Sequence, residues 1–300
     1  MKIECKDFQQ EGRISLLQFR TTDQELWEFY PGAPAVESGD LVIKELGEGG
    51  RVEELQVINN THKYLFLMDT DLLIGAKQNR LLNSSVLFAP RSHSVMSVSC
   101  VERSRWHSTS AHFKLSNHHI EPDIRKHKVT ALKQDPKTFR ASARKFQGEV
   151  WDRVAAKSRE VTINNPTEDY HRVLDKKAAM KDPEPFHFKL NKEANGMAVL
   201  VDDAIATVDL FGSHPVYEYY FPRMIQNIDF ALKHGKASDL TEKKAVSLVD
   251  KYISKQGSNK SVFYPVKSGV GEIRQIESKH SAGAELVFDK RIVHTFLLSQ

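Results

Sequence analysis

Tyr64-Leu65-Phe66-Leu67-Met68, Gly75-Ala76-Lys77-Gln78-Asn79-Arg80-Leu81-Leu82-Asn83-Ser84-Ser85 and Val86-Leu87-Phe88 follow one another within 25 residues. The outer runs are short, apolar and of strand length. The middle run is dense in cations, amides and hydroxyls. Lysine and arginine offer fixed positive charge, while glutamine and asparagine offer donor and acceptor together. A ligand carrying phosphate and sugar needs that mixture. A solvated hairpin loop with Asn and Ser as turn formers has the same composition, and is the commoner use of it.

Outward from this block, short apolar runs recur at Ile14 to Phe19, Leu41 to Leu46, Leu55 to Ile58 and Val95 to Val101. Tyr30-Pro31-Gly32-Ala33-Pro34 and Gly47-Glu48-Gly49-Gly50 punctuate them. This spacing predicts a β-rich, sandwich-like part over 1–115. Asp135-Pro136 then reads as an N-cap with proline at the first helical position. Phe139, Ala143, Phe146, Val150 and Val154 recur at helical steps behind it, so 116–160 reads as a basic connector and a helix. Residues 160–195, with Pro166, Pro183 and Pro185, read as a long connection.

An α+β part is expected over 196–300. It starts with a hairpin about Asp202-Asp203. A helix follows from Ser213 to about Lys233, with Pro222 as a kink and Gly235 as a stop. Another runs from Thr241 to Gly257 with Val246, Val249 and Ile253 inward. Strands are predicted at Ser261 to Val266, Glu272 to Glu277, Glu285 to Phe288 and Ile292 to Leu298. The fold class expected is α+β: an N-terminal β-rich sandwich-like half packed with a C-terminal half of helices and antiparallel strands, residues 1–300 forming a single compact unit.

Composition narrows the function classes. With 300 residues, 40% hydrophobic and 27% charged, the chain is neither disordered, collagenous nor a coiled coil. The net charge of +4 is uneven: 121–160 holds eleven Lys and Arg against six Asp and Glu, and the remainder is one unit negative. Nucleic-acid binding, if present, belongs to that segment. Two cysteines, Cys5 and Cys100, build no disulfide framework. No apolar run approaches the roughly 20 residues of a membrane span. Met1-Lys2-Ile3-Glu4-Cys5-Lys6 is too charged for a signal peptide. The expectation is a soluble, cytoplasmic protein with no membrane partner.

Two further stretches carry candidate chemistry. In Met96 to Trp106, alternation puts Met96, Val98, Cys100, Glu102, Ser104 and Trp106 on one face, and Ser97, Ser99, Val101, Arg103 and Arg105 on the other. Glu102 is then a carboxylate on an apolar face and needs a cation, for which Lys77, Arg80 and its own strand's arginines are available. Cys100 reads as an inert small hydrophobe. On the helix after Pro136, Gln147 and Trp151 stand four apart beside the apolar stripe.

Gly-Ala-Lys-Gln-Asn-Arg (75–80), Cys-Val-Glu-Arg-Ser-Arg-Trp (100–106) and Gln-Gly-Glu-Val-Trp (147–151) together resemble the ARG and Rhodanese-Phosphatase-superfamily-associated protein domain. Val208 to Phe211, Gly283 to Leu286 and Ile292 to His294 continue the resemblance, which spans about residues 30–298. The family's usual glycine before the last arginine–tryptophan pair is Ser104 here, and its Gly-Glu-Glu-like step is Asp69-Thr70-Asp71. The resemblance implies gene-neighbourhood company with ADP-ribosylglycohydrolases and with rhodanese- and phosphatase-like proteins. That points to ADP-ribose or NAD metabolism in microbial conflict, with no defined reaction or cofactor.

Two functions are therefore expected in competition. In the first, a nucleotide or sugar phosphate is bound by Lys77, Gln78, Asn79, Arg80 and Asn83. Glu102 is then acid, base or orienting carboxylate, and Arg105, Trp106, Gln147 and Trp151 form the walls. In the second, these residues are a buried network in a non-catalytic scaffold, or in an accessory protein that binds nucleic acid through 121–160. The histidines His107, His112, His118, His119 and His127 read as surface residues, with no metal site. The aromatic run Tyr217 to Phe221 reads as core.

Overall fold

The computed structural model describes residues 1–47, 49–180, 186–234, 236–257 and 262–300. Glu48, Pro183, Pro185, the Gly235 stop and the predicted strand start at Ser261 lie outside the described residues. The chain opens with β1 (Ile3–Glu11), β2 (Ile14–Thr21), β3 (Tyr30–Pro31), α1 (Ala33–Ser38), β4 (Leu41–Glu45) and β5 (Glu54–Asn59). It continues through β6 (Leu65–Leu67), β7 (Asp71–Gly75), β8 (Arg80–Leu82), β9 (Val86–Phe88), β10 (Ser92–Cys100) and β11 (Phe113–His119). Three helices follow, α2 (Pro122–Ala131), α3 (Pro136–Glu160) and α4 (Tyr170–Met180). The rest is β12 (Gly196–Val201), β13 (Ala204–Phe211), α5 (His214–Gln226), α6 (Glu242–Gly257), β14 (Tyr264–Pro265), β15 (Glu272–Glu277), β16 (Ser281–Phe288) and β17 (Arg291–Ser299). The class is α+β. Among the described residues no helix is long and apolar enough to cross a membrane.

The chain divides into two compact units. One comprises Met1–Glu28, Asp182–Phe263 and Glu272–Gln300; the other comprises Phe29–Lys181 and Tyr264–Gly271. The first is built on an antiparallel sheet ordered β1-β2-β12-β13-β17-β16-β15. β1 is the edge and pairs with β2, and β2 pairs with a late strand: Leu17 lies opposite Ala198, whose other neighbour is Val208. The β12–β13 hairpin turns on Asp202 and Asp203, both at positive φ, as a two-residue turn of primed type requires. Ala245, Val249 and Ile253 of α6 pack with Leu17, Phe19, Leu200 and Leu210. Tyr217, Tyr220 and Phe221 of α5 are buried, and Tyr220 stacks on Phe211 with ring centroids 6.0 Å apart.

α5 ends at Gln226, short of the predicted Lys233, with Pro222 inside it. The chain then turns extended at Asp229, whose carboxylate caps a short 3-10 turn through Ala231 N. An aspartate that satisfies the next turn's amides competes with continuing the helix.

The second unit is a sandwich with helices on its outer face. A six-stranded antiparallel sheet, β11-β7-β8-β10-β5-β4, faces a three-stranded sheet, β3-β6-β9. Strand alternation divides the apolar residues. Leu73 and Leu82 enter the inter-sheet core with Leu67, Phe88, Met96, Val98 and Phe113. Leu72, Leu81 and Val101 pack instead with Ile124, Phe146, Val150, Val154, Tyr170 and Val173 of α2, α3 and α4. Burying Phe146 fully contributes on the order of 1.5–3 kcal/mol. The α3 start is as predicted: Asp135 accepts from Lys137 N at 2.9 Å, with Pro136 following.

Two helices depart from the sequence reading. α2 occupies the predicted connector, because Pro122 starts it and Ile124 and Val129 give it an inner face. α4 interrupts the predicted connection of 160–195. Its cap is Asp169, whose Oδ1 accepts from His171 N at 2.9 Å, and Tyr170, Val173 and Leu174 are its buried face.

Candidate functional site

The polar block forms the β7–β8 turn and the start of β8. Gly75 has φ +113°, and a Cβ there would meet Ser110 Oγ at 2.5 Å. Ala76 follows at φ +39°, where a side chain is strained. Gly75 N donates to Asn79 Oδ1 at 3.0 Å, and Lys77 N to Glu45 Oε1 at 3.1 Å. These bonds hold the turn and set the direction of β8.

Arg80 enters β8 directly opposite Cys100 of β10, on the strand face that carries Leu82. It is 0% exposed. Its Nη1 donates to Gln78 Oε1 at 3.0 Å, while Nε and Nη2 are buried with no hydrogen-bond partner. The nearest carboxylate oxygen, Glu45 Oε1, is 4.0 Å from Nη2, and Glu45 Oε2 also lacks a partner. Burial pulls the guanidinium pKa below its ordinary value, against the opposing influence of Cys100, Glu45 and Glu102. The Trp106 ring lies 5.8 Å from the guanidinium and 5.4 Å from Lys77 Nζ, and is 45% exposed. Lys77 Nζ donates to Gly49 O at 2.6 Å.

Glu102 and Arg105 form the centre of a closed network beside Arg80. Arg105 Nε and Nη2 donate to the two Glu102 oxygens at 2.8 and 2.6 Å. Asn79 N adds a third bond to Oε2 at 3.1 Å. Arg105 Nη1 reaches Ala76 O at 2.6 Å. Asn79 Nδ2 donates to Asp169 Oδ1 at 3.0 Å. Burial raises the Asp169 carboxyl, and the Glu102 charge raises it further; Asn79 and the His171 amide oppose them. Gln78 Nε2 donates to Glu102 O at 2.8 Å. Strict strand alternation sets Arg105 on the face opposite Glu102. The strand ends at Cys100, so Arg105 is free to curl back onto the carboxylate.

The remaining candidates lie elsewhere around this centre. Asn83 is three residues beyond Arg80, an odd step that turns it to the other face of the strand. There it donates to Ser97 Oγ at 2.9 Å and accepts from Ser99 Oγ at 2.7 Å. Gln147 of α3 clips the Cys100 backbone, accepting from its N at 2.6 Å and donating to its O at 2.7 Å. Trp151 carries the Arg103 guanidinium at 5.5 Å. Cys100 is buried, and burial pushes its thiol pKa up despite Arg80. Its Sγ donates to Glu102 O at 2.8 Å.

Sequence reasoning missed Glu45, an ordinary strand-end acid until folding sets it near Arg80, and Asp169, hidden in the stretch read as connection. It also placed His119 on the surface. His119 is buried, with Nδ1 2.8 Å from Thr70 Oγ1, because its strand position points inward.

A separate cleft of about 780 Å³ is lined by Arg51, Phe139, Arg140, Arg144 and Lys267 together with Glu53 and Glu54. Arg51 pairs with Glu54 at 2.7 Å and Arg144 with Glu53 at 3.7 Å. This leaves Arg140 and Lys267 as the cations at its wall without a carboxylate bridge among the described residues.

No curated protein and no solved structure matches the chain. One family model does, over residues 2–298, and that span takes in the Arg80 turn, the Glu102–Arg105 pair and the α3 clip alike. A match across nearly the whole chain places it: the protein belongs to the ARG and Rhodanese-Phosphatase-superfamily-associated Protein domain family.

Proposed function

We propose that the chain binds an anionic sugar-phosphate or nucleotide-type ligand at Arg80. The observation that carries the reading is the unmatched Nε–Nη2 edge of a fully buried guanidinium. That edge is the fork with which arginine holds phosphate or carboxylate in two parallel hydrogen bonds. A buried cation without such a partner costs stability, and an anionic ligand on that edge would offset the cost. Trp106 lies over the guanidinium and is half exposed, so turning its ring both opens the way to Arg80 and offers a stacking face for a base. Gln78 orients Arg80, and Glu102 acts as the orienting carboxylate of the neighbouring network. Lys77 adds positive charge at the entrance.

The family's association with ADP-ribosylglycohydrolases makes ADP-ribose and NAD the first ligands to try. Each is titrated by calorimetry into the wild-type protein and into Arg80→Met and Lys77→Ala. Saturable heat that disappears in Arg80→Met supports the site. No heat with either ligand, or undiminished binding by Arg80→Met, removes it.

The scaffold reading has its own support in the closure of the Glu102–Arg105–Asn79–Asp169 network. On that reading Glu102→Gln unfolds the protein and abolishes no separable activity. A folded Glu102→Gln protein that has lost ligand counts against it. Nucleic-acid binding through 121–160 is supported by Arg140 at the cleft wall, but Arg125, Lys128 and Lys157 of that segment are buried in ion pairs. Steep salt dependence in filter binding is its test.

A further inference from the structure

His118 closes a triangle with two residues of α4. Its Nε2 is 2.9 Å from Asp175 Oδ1, and His171 Nδ1 is 3.1 Å from Asp175 Oδ2. One ligating atom from each residue lies within 4.8 Å of the other two. The two imidazoles are half-buried, with ring centroids 5.4 Å apart, and Asp175 is exposed. The three residues come from rigid elements. His171 and Asp175 stand one helical turn apart on α4, and His118 stands on β11, against which α4 packs.

We propose that His118, His171 and Asp175 form a binding site for a divalent transition metal of the zinc class. Two imidazole nitrogens and one carboxylate are a ligand set that suits zinc, and tetrahedral coordination leaves a fourth position open to solvent or to a substrate oxygen. In the metal-free geometry the carboxylate bridges the two rings. A cation at the centre of the triangle takes the place of those two hydrogen-bonding protons, with both imidazoles neutral. His171 is also fixed from behind, because its backbone N–H is held by the capping carboxylate of Asp169. A tethered backbone and a strand-borne partner keep the nitrogens converging, which lowers the cost of organising the site.

The sequence hides this site, since His118 and His171 are more than fifty residues apart and neither has a histidine one helical turn away. The site stands apart from the Arg80 reading and does not depend on it.

Zinc ion alone, titrated into the full chain by calorimetry, tests the proposal. Wild type is compared with His118→Gln, His171→Ala and Asp175→Asn, and with His107→Ala as a control on an exposed histidine. One zinc per chain is expected, with affinity at least about 100-fold weaker in either histidine variant and unchanged in the control. Cobalt(II) substitution is expected to give a visible ligand-field band that His171→Ala abolishes. Circular dichroism of each variant establishes that the fold is kept, and because none of the three side chains is fully buried, folded variants are expected. Absence of zinc binding by wild type overturns the proposal, as does binding that both histidine variants retain.

Discussion

Arg105 grips Glu102 by both oxygens, Nε to Oε1 at 2.8 Å and Nη2 to Oε2 at 2.6 Å, with both side chains buried. This fork is the strongest kind of protein ion pair, and removing one charge leaves the other stranded. Glu102→Gln is therefore expected to cost about 3–5 kcal/mol. Urea unfolding with an unchanged slope and a lowered midpoint is the measurement.

Arg80 is expected to behave in the opposite way. Its guanidinium makes one hydrogen bond, to Gln78, and comes no closer than 4.0 Å to Glu45, so an apolar chain of similar length removes a desolvation cost that little repays. Arg80→Met should thus raise the melting temperature or leave it alone while ligand is lost. A marked fall in melting temperature would make Arg80 a structural residue.

Cys100 is predicted to be unreactive in the native state. Burial raises its pKa, and burial together with Glu242 pushes Cys5 up to about 11. The thiolate is the reactive form, so Ellman's reagent at neutral pH should label neither residue quickly, and both on unfolding. Rapid labelling of one thiol in the folded protein would refute this.

Lys128 gives a signed pH dependence. It is fully buried, donates to Asp69 O and to Leu82 O, and lies 3.0 Å from Asp69 Oδ2. Desolvation pushes it down to about 8, with Asp69 opposing. Between that value and the unfolded one of about 10.4, the unfolded chain holds the extra proton. The stability contributed by Lys128 therefore rises as pH climbs through that window and is lost as pH falls through about 8. The denaturation midpoint of wild type, relative to that of Lys128→Met, should therefore rise as pH climbs across this window.

A single calorimetric unfolding transition is expected for residues 1–300, because neither compact unit is continuous in sequence. Two resolved transitions would show instead that the units melt independently.

Periodicity made most of the framework legible. The runs read at Leu55 to Ile58, Tyr64 to Met68 and Glu272 to Glu277 hold the strands Glu54–Asn59, Leu65–Leu67 and Glu272–Glu277, and the cap-and-proline step at Asp135-Pro136 opens α3. α4 was not legible, since its inner face is three residues among lysines and its cap lies in a polar stretch. The clustering of the candidate residues was legible only in part. Lys77, Arg80, Glu102, Arg105 and Trp106 do gather, but strand alternation sends Asn83 to the opposite face, a separation the odd step from Arg80 already contained. The basic segment misled most. Arg125 and Lys128 are the buried counter-charges of Asp69, and Lys157 bridges Glu121 and Asp123. A sum of charges cannot distinguish such cations from a solvated surface.

The pairing of β2 with β12 sets an order of events during synthesis. Leu16, Leu17 and Phe19 leave the ribosome nearly two hundred residues before Val199, Ala198 and Gly196, the residues they pair with. The β1–β2 hairpin must wait, its second edge open, while most of the Phe29–Lys181 body is translated and folds in the interval. An unpaired apolar edge held that long is a template for another chain.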